Sequence, residues 1–243
     1  MSLRPTTVRP ALRSLPHARP LLAACVAIAL AGCSSLLGGN PKDAATIYAP
    51  DPRVEAPADW PQADWQLSIS RPEAARMVDS LRIAVRPSPG ELQVYKGANW
   101  AKTPSEQVED AVLRVLEDSG RIQGVARQGT GIAAEYKLVM DLRRYEADYA
   151  GRALPSATIE LNAKLMHAPA NEVVASRTFL QAVPAAATDT GSVVQAFSQA
   201  LGDVARDISG WALASGSAHE ASGAHPPDAV PRLPGRTPGA AVR

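Results

Sequence analysis

Hydrophobic and polar positions alternate through much of the middle of this chain. Trp65, Leu67 and Ile69 are separated by polar residues, and Leu81, Ile83 and Val85 alternate with Arg82 and Arg86. The turn Pro87-Ser88-Pro89-Gly90 follows, and Leu92 and Val94 resume the period of two. Tyr136, Leu138, Met140 and Leu142 share one parity. Ile159, Leu161, Ala163 and Leu165 form another run, with Thr158, Glu160, Asn162 and Lys164 opposite. After Pro169-Ala170-Asn171 turns the chain, Val173, Ala175 and Phe179 begin a further strand. A period of two places alternate side chains on opposite faces of a strand. The last three runs, joined by turns, predict an antiparallel meander.

Two stretches carry a helical period instead. Thr103-Pro104-Ser105-Glu106 has the Pro and acid expected of a first helical turn. Val108, Ala111, Val112, Val115 and Leu116 then lie on one face, and Ser119-Gly120 ends the helix. Glu106, Glu109, Asp110, Arg114 and Glu117 fall elsewhere and read as its wet face. Further on, Val194, Phe197, Leu201, Val204, Ile208 and Trp211 recur at alternating steps of three and four. This stripe predicts a second helix packed on a sheet, or one that meets another subunit. The expected fold class is α/β: a single domain with a mixed β-sheet of about five to six strands and two main helices packed on it.

The amino terminus obeys a different rule. Residues 1–20 hold Arg4, Arg9, Arg13 and Arg19 and no acid, and Leu21 to Ala31 is an unbroken small or apolar run. A spanning helix needs about twenty such residues, so the run has the length of a signal-peptide core. It closes on Leu30-Ala31-Gly32-Cys33, a lipobox, which assigns cleavage between Gly32 and Cys33 and a lipid to the Cys33 thiol. Leu22-Ala23-Ala24-Cys25 is a decoy, because almost no hydrophobic core precedes it. Cleavage changes the charge: the whole chain is +1, but loss of the four arginines leaves 21 basic against 24 acidic residues, or −3. Neither figure gives a footprint for nucleic acid. One acyl chain binds a membrane reversibly, whereas two or more anchor stably. The expected product is therefore anchored to a membrane without spanning it, and Ser34 follows the usual sorting convention for export to the outer membrane, periplasmic face. Residues 1–32 are thus a signal peptide, 33–45 a lipidated tether, 46–214 the folded body and 215–243 a Gly/Pro/Ala tail too poor in large aliphatics to offset its ordering entropy.

Chemistry is sparse. Of four histidines, His17 leaves with the signal and His219 and His225 fall in the tail, leaving His167 at a strand end. One histidine without a cysteine builds neither a zinc site nor a His-dependent triad, so no metal and no cofactor are expected. Gly129-Thr130-Gly131-Ile132-Ala133-Ala134 matches a dinucleotide fingerprint, but strand period rather than helix follows it, and it reads as a loop. Trp60, Trp65, Trp100 and Trp211 are core or edge residues, or a surface for lipid or a partner.

The order of these features resembles the ABC-type transport auxiliary lipoproteins, the PqiC-like family. The residues that carry the likeness are the lipobox, Tyr48, the Leu81–Val85 strand, Tyr95 and Trp100-Ala101 before the first helix. Tyr136-Lys137-Leu138 running to Tyr145-Glu146, and the closing helix that ends in Trp211, complete it. The Pro-rich stretch from Ala49 to Pro61 and the Gly/Pro tail depart from it. The resemblance implies a non-enzymatic periplasmic subunit that works with an inner-membrane ABC permease and ATPase and an MCE-domain protein, moving phospholipid or other lipids between the two membranes. Trp100, Trp211 and Tyr145 are its candidate partner or lipid surface. Two other readings stay open on the residues alone: a structural outer-membrane lipoprotein scaffolding an envelope complex, and a periplasmic hydrolase using carboxylates only.

Overall fold

A computed structural model describes residues 45–223. Gly32, Cys33 and Ser34, the signal peptide, nearly all of the tether and residues 224–243 lie outside the described residues.

The longest predicted strand is the spine of the sheet. This strand, β7 (Tyr136–Asp148), pairs along one edge with β8 (Ser156–His167), which pairs in turn with β9 (Glu172–Pro184), all antiparallel. The meander read from the sequence is present. The other edge of β7 is shared end to end by three short parallel strands: β2 (Ala63–Ile69), β3 (Glu73–Ala74) and β4 (Arg82–Arg86). Beyond β4 lies β5 (Gln93–Trp100), antiparallel, and then β1 (Thr46–Tyr48), parallel. Beyond β2 lies β6 (Ile122–Arg127), parallel. The mixed sheet has nine strands, more than the five to six expected. The three additions are β1, β3 and β6. Strands of three and two residues are too short to show a period, and Gly124 interrupts the pattern of β6.

Two helices cover one face of the sheet. Helix α1 (Pro104–Ser119) starts where its signal lies: the Thr103 N–H donates to Glu106 Oε2 at 2.9 Å, and Pro104 occupies the first turn. The turn before β4 adds a second cap, because Asp79 Oδ1 accepts the Ser105 N–H at 2.9 Å. Gly120 ends the helix at φ 59°, a left-handed conformation that costs glycine little. Helix α2 (Thr190–Ala221) begins at Asp189, whose Oδ1 accepts the Ser192 N–H at 3.0 Å. It packs on β8, β9 and α1. Its buried face is broader than the predicted stripe, since Ala196, Ala200, Ala205, Ala212 and Gly216 are buried beside Phe197, Leu201, Val204 and Ile208. Small residues let the helix approach the sheet closely over its length.

The helix also runs through Ala221, past the boundary at residue 214 where the tail was expected. Composition pointed to disorder because residues 215–221 hold no large aliphatic. Here tertiary contacts supply the order: Gly216 lies against the Trp65 indole and Tyr136 bonds His219 and Glu220.

A bulge in β7 decides which residues share a face. Leu142 pairs with Leu161 and Arg144 with Glu160, so Arg143 is an extra residue. Before it the even positions point to the helices; after it the odd ones do. Tyr145 therefore enters the core with Trp100 and Phe197. Tyr145 stacks on Phe197 at 4.9 Å, and Trp100 meets both rings edge-on at 5.9 and 5.2 Å. The even residues Arg144, Glu146 and Asp148 turn to the opposite face.

Candidate functional site

The three aromatic residues expected at a partner or lipid surface separate. Trp100 and Tyr145 are 2% and 1% exposed, so neither forms a surface. Tyr145 donates its hydroxyl proton to Gln107 Oε1 at 2.8 Å, and Gln107 Nε2 donates to the Lys102 carbonyl at 2.8 Å. This chain of bonds locks the start of α1 to the sheet, which is a structural role. Trp211 alone stays half-buried at the surface. Its ring meets Phe179 edge-on at 5.6 Å, and the Arg177 guanidinium lies 5.0 Å from the Phe179 centroid.

Trp211 borders a cleft of about 340 Å³ lined by Pro57, Trp60, Arg177, Arg206, Asp207 and Gly210. The proline-rich segment before β2 brings Trp60 there. Gly210 gives it room, because a Cβ at that position would lie 2.8 Å from Trp60 Nε1. Arg206 pairs with Asp203 at 3.1 Å and with Asp207 at 3.5 Å. Arg177 has no ion-pair partner among the described residues. Two indoles and an unpaired arginine at one cleft form the composition from which protein-contact anchors are built. The sequence offers Trp60 and Trp211 among four tryptophans as core or surface, but periodicity could neither join them nor find Arg177, since the three lie on different segments.

A second cluster gathers at the last turns of α2. His219 Nδ1 lies 2.7 Å and Glu220 Oε1 2.6 Å from the Tyr136 hydroxyl. A phenol has one proton to give, so the consistent arrangement has it donating to Glu220 and accepting from a protonated Nδ1 of His219. Burial, then the bond to Glu220, pushes the Tyr136 phenol well above its ordinary value and keeps it a donor. His167 is 1% exposed, with its ring 5.3 Å from that of His219 and 5.5 Å from Tyr136. The domain thus holds two neighbouring histidines where the sequence left one, because His219 belongs to α2. Trp65 meets Tyr136 at 4.7 Å, with the rings tilted by 55°, and closes the cluster.

On the opposite sheet face, Glu146 is 2% exposed. Arg86 donates to it through Nε at 2.8 Å and Nη2 at 2.9 Å, and Arg144 Nε donates at 2.8 Å. Arg144 also reaches Asp148 at 2.5 Å. Burial alone would raise the Glu146 carboxyl, but the bonds and charges of the two arginines outweigh it and hold it below the ordinary range. The acids of α1 are also less solvated than the helical wheel predicts. Glu109 is buried beside Arg127 of β6, and Asp110 bridges Lys102 and Arg127, each at 2.5 Å.

Among the described residues no group of three or more His, Cys, Asp and Glu is placed to hold a metal ion, and no helix is long and apolar enough to cross a membrane. The fingerprint-like Gly129 and Gly131 sit in the loop between β6 and β7, with φ of 91° and 85°, and no helix begins there.

Residues 46–209 match the family model described as ABC-type transport auxiliary lipoprotein component. A crystal structure of a Xanthomonas campestris protein of the DUF330 family is 54% identical, with 73% of this chain and 99% of that one covered at a TM-score of 0.71. A second crystal structure, of an uncharacterized protein, is 12% identical over 65% of this chain and 97% of that one, with a TM-score of 0.51; it shares the fold. No curated protein matches the chain.

Proposed function

The chain belongs to the ABC-type transport auxiliary lipoprotein component family, and from that premise we propose that it is a non-enzymatic, outer-membrane-anchored subunit of a lipid-transport system. In this reading Cys33 carries the lipid, Ser34 permits export, and the body stands on the periplasmic face. Its partners are an MCE-domain protein and an inner-membrane ABC permease and ATPase, and the cargo is phospholipid or another lipid.

The observation that supports this best is the juxtaposition of Leu30-Ala31-Gly32-Cys33 with a family-matched domain that begins at residue 46. Confinement to a membrane raises the effective concentration of a tethered body at its partner without any new contact. A docking subunit needs this and needs no catalytic group. The Trp60–Trp211 cleft, with Arg177 at its mouth, is the surface best suited to receive the partner, and Arg177 would favour an acidic one.

The test is crosslinking in intact envelopes followed by affinity capture and mass spectrometry. Recovery of an MCE-domain protein or permease, together with an acylated N-terminal peptide beginning at Cys33, is the expected result. An unmodified Cys33 with an uncleaved amino terminus, or capture of neither partner, would overturn the reading.

A further inference from the structure

We propose that the end of the sheet at which the chain enters the domain is a surface that rests on an anionic phospholipid bilayer. This deepens the anchored-subunit reading and rests on it. Ile47, Met77 and Leu81 are 67%, 57% and 49% exposed, and unlike the equally exposed Val173 and Leu180 of β9 they lie near unpaired cations at the end where the chain enters. Strand register and capping bring them together. Ile47 of β1 lies opposite Asn99 of β5, and Asn99 lies opposite Arg82 of β4. Ile47 and Arg82 therefore flank Asn99 on one face, roughly 10 Å apart across two strand spacings. The Leu81 carbonyl accepts from the Trp100 N–H at 2.6 Å. The turn carrying Met77 is held at the same end, because Asp79 caps α1 directly after β5.

The charges fit the same partner. Arg76, Arg82 and Lys96 are exposed and have no ion-pair partner among the described residues. Of the nearby acids, Asp79 accepts the Ser105 N–H and Glu106 pairs with Arg71 at 3.1 Å, which leaves exposed Glu73 against the three cations. Scattered apolar side chains among unpaired cations suit a headgroup layer, where the apolar groups insert and the cations meet anionic lipid. The path of the chain agrees. Ala45 precedes β1, and about a dozen residues separate it from Cys33, a contour of at most roughly 40 Å. A lipid on Cys33 therefore confines this end of the domain to the neighbourhood of the bilayer.

The chain from Cys33 onward has a single thiol. Coupling that thiol to a maleimide phospholipid fixes the protein on vesicles whether or not cells acylate it. Amide hydrogen exchange is then compared on phosphatidylcholine vesicles, on vesicles that also contain phosphatidylglycerol, and on protein coupled to a soluble maleimide. Severalfold slower exchange in residues 45–48 and 75–82 is expected on the anionic vesicles, with less slowing on neutral ones and none around Val173 and Leu180 of β9. Arg82→Glu and Ile47→Ser should each reduce that slowing. The proposal is overturned if exchange is unchanged, if β9 is the segment protected, or if the same slowing appears with the soluble maleimide, which would make the surface a contact between copies of the chain. A missing acyl group in cells would sink the anchor reading without altering this result.

Discussion

Gly216→Ala opposes two effects of known sign. Alanine is the better helix former, by about 0.8–1.0 kcal/mol in a helix interior, so α2 as an isolated helix would gain. In the folded domain a Cβ at residue 216 would lie 2.3 Å from Trp65 Cζ2 and 2.9 Å from Cε2 and Cη2. Carbon atoms pack best at about 3.5–4.0 Å, so the helix or the indole must move by more than about 1 Å. The indole is held on two counts: Trp65 is 5% exposed and its ring lies 4.7 Å from that of Tyr136, although one edge borders a cleft lined by Ser217 and Glu220. Overpacking of this kind costs about 1–3 kcal/mol and occasionally more. Set against the propensity gain, the net expectation is a loss of up to about 2 kcal/mol, or up to roughly 8 °C in Tm for a domain of this size. Thermal and urea unfolding followed by circular dichroism would measure it, with amide exchange at 217–221 reporting whether the last turns detach. Gly210→Ala is the graded comparison. Its Cβ also meets an indole, at 2.8 Å, but Trp60 is half-buried beside a cleft and can swing, so the loss should be smaller. If Gly216→Ala stabilises the domain by the helical propensity alone, the close approach of α2 to β2 and the tertiary origin of its last turns are both wrong.

Glu146→Gln removes the charge that holds Arg86 and Arg144, and should cost about 2–3 kcal/mol, somewhat less than a fully buried pair because both arginines keep some solvent. Its pH dependence is specific. The unfolded carboxyl titrates near 4.5 and the folded one lower, so its contribution is complete above that value and is lost as pH falls through the folded one; the substitution should flatten the acid limb of a stability–pH curve. Tyr136→Phe deletes the shared bonds to His219 and Glu220, with an expected loss of about 1 kcal/mol and faster exchange confined to the end of α2. Tyr145→Phe leaves the buried Gln107 side chain without its donor and should cost about 1–2 kcal/mol by chemical denaturation. Arg177→Glu leaves the fold intact but should weaken crosslinking to an acidic partner; unchanged crosslinking would exclude the Trp60–Trp211 cleft as the contact.

The elements whose information is local are legible in the residues themselves. A period of two marked the strands of the meander, and a capping signal and a glycine stop bounded α1. A compositional change separated the lipobox segment from the domain. These follow from backbone geometry and short-range hydrogen bonding, which neighbouring residues specify. The rest depends on long-range packing. The extra residue at Arg143 reverses the facing of β7, sending Tyr145 inward and Glu146 to the arginines; the adjacent polar pair Arg143-Arg144 breaks the period of two, but only the continued pairing with β8 makes that break a bulge rather than the end of a strand. The short strands β1 and β3 exist because longer strands offer them hydrogen-bonding edges. The last turns of α2, poor in large side chains, are ordered by an indole and a phenol more than seventy residues away in the chain. Trp60, Arg177 and Trp211 meet in one cleft only because the sheet folds beneath α2. Contacts of this kind depend on which surfaces are brought together, and a local reading cannot contain them.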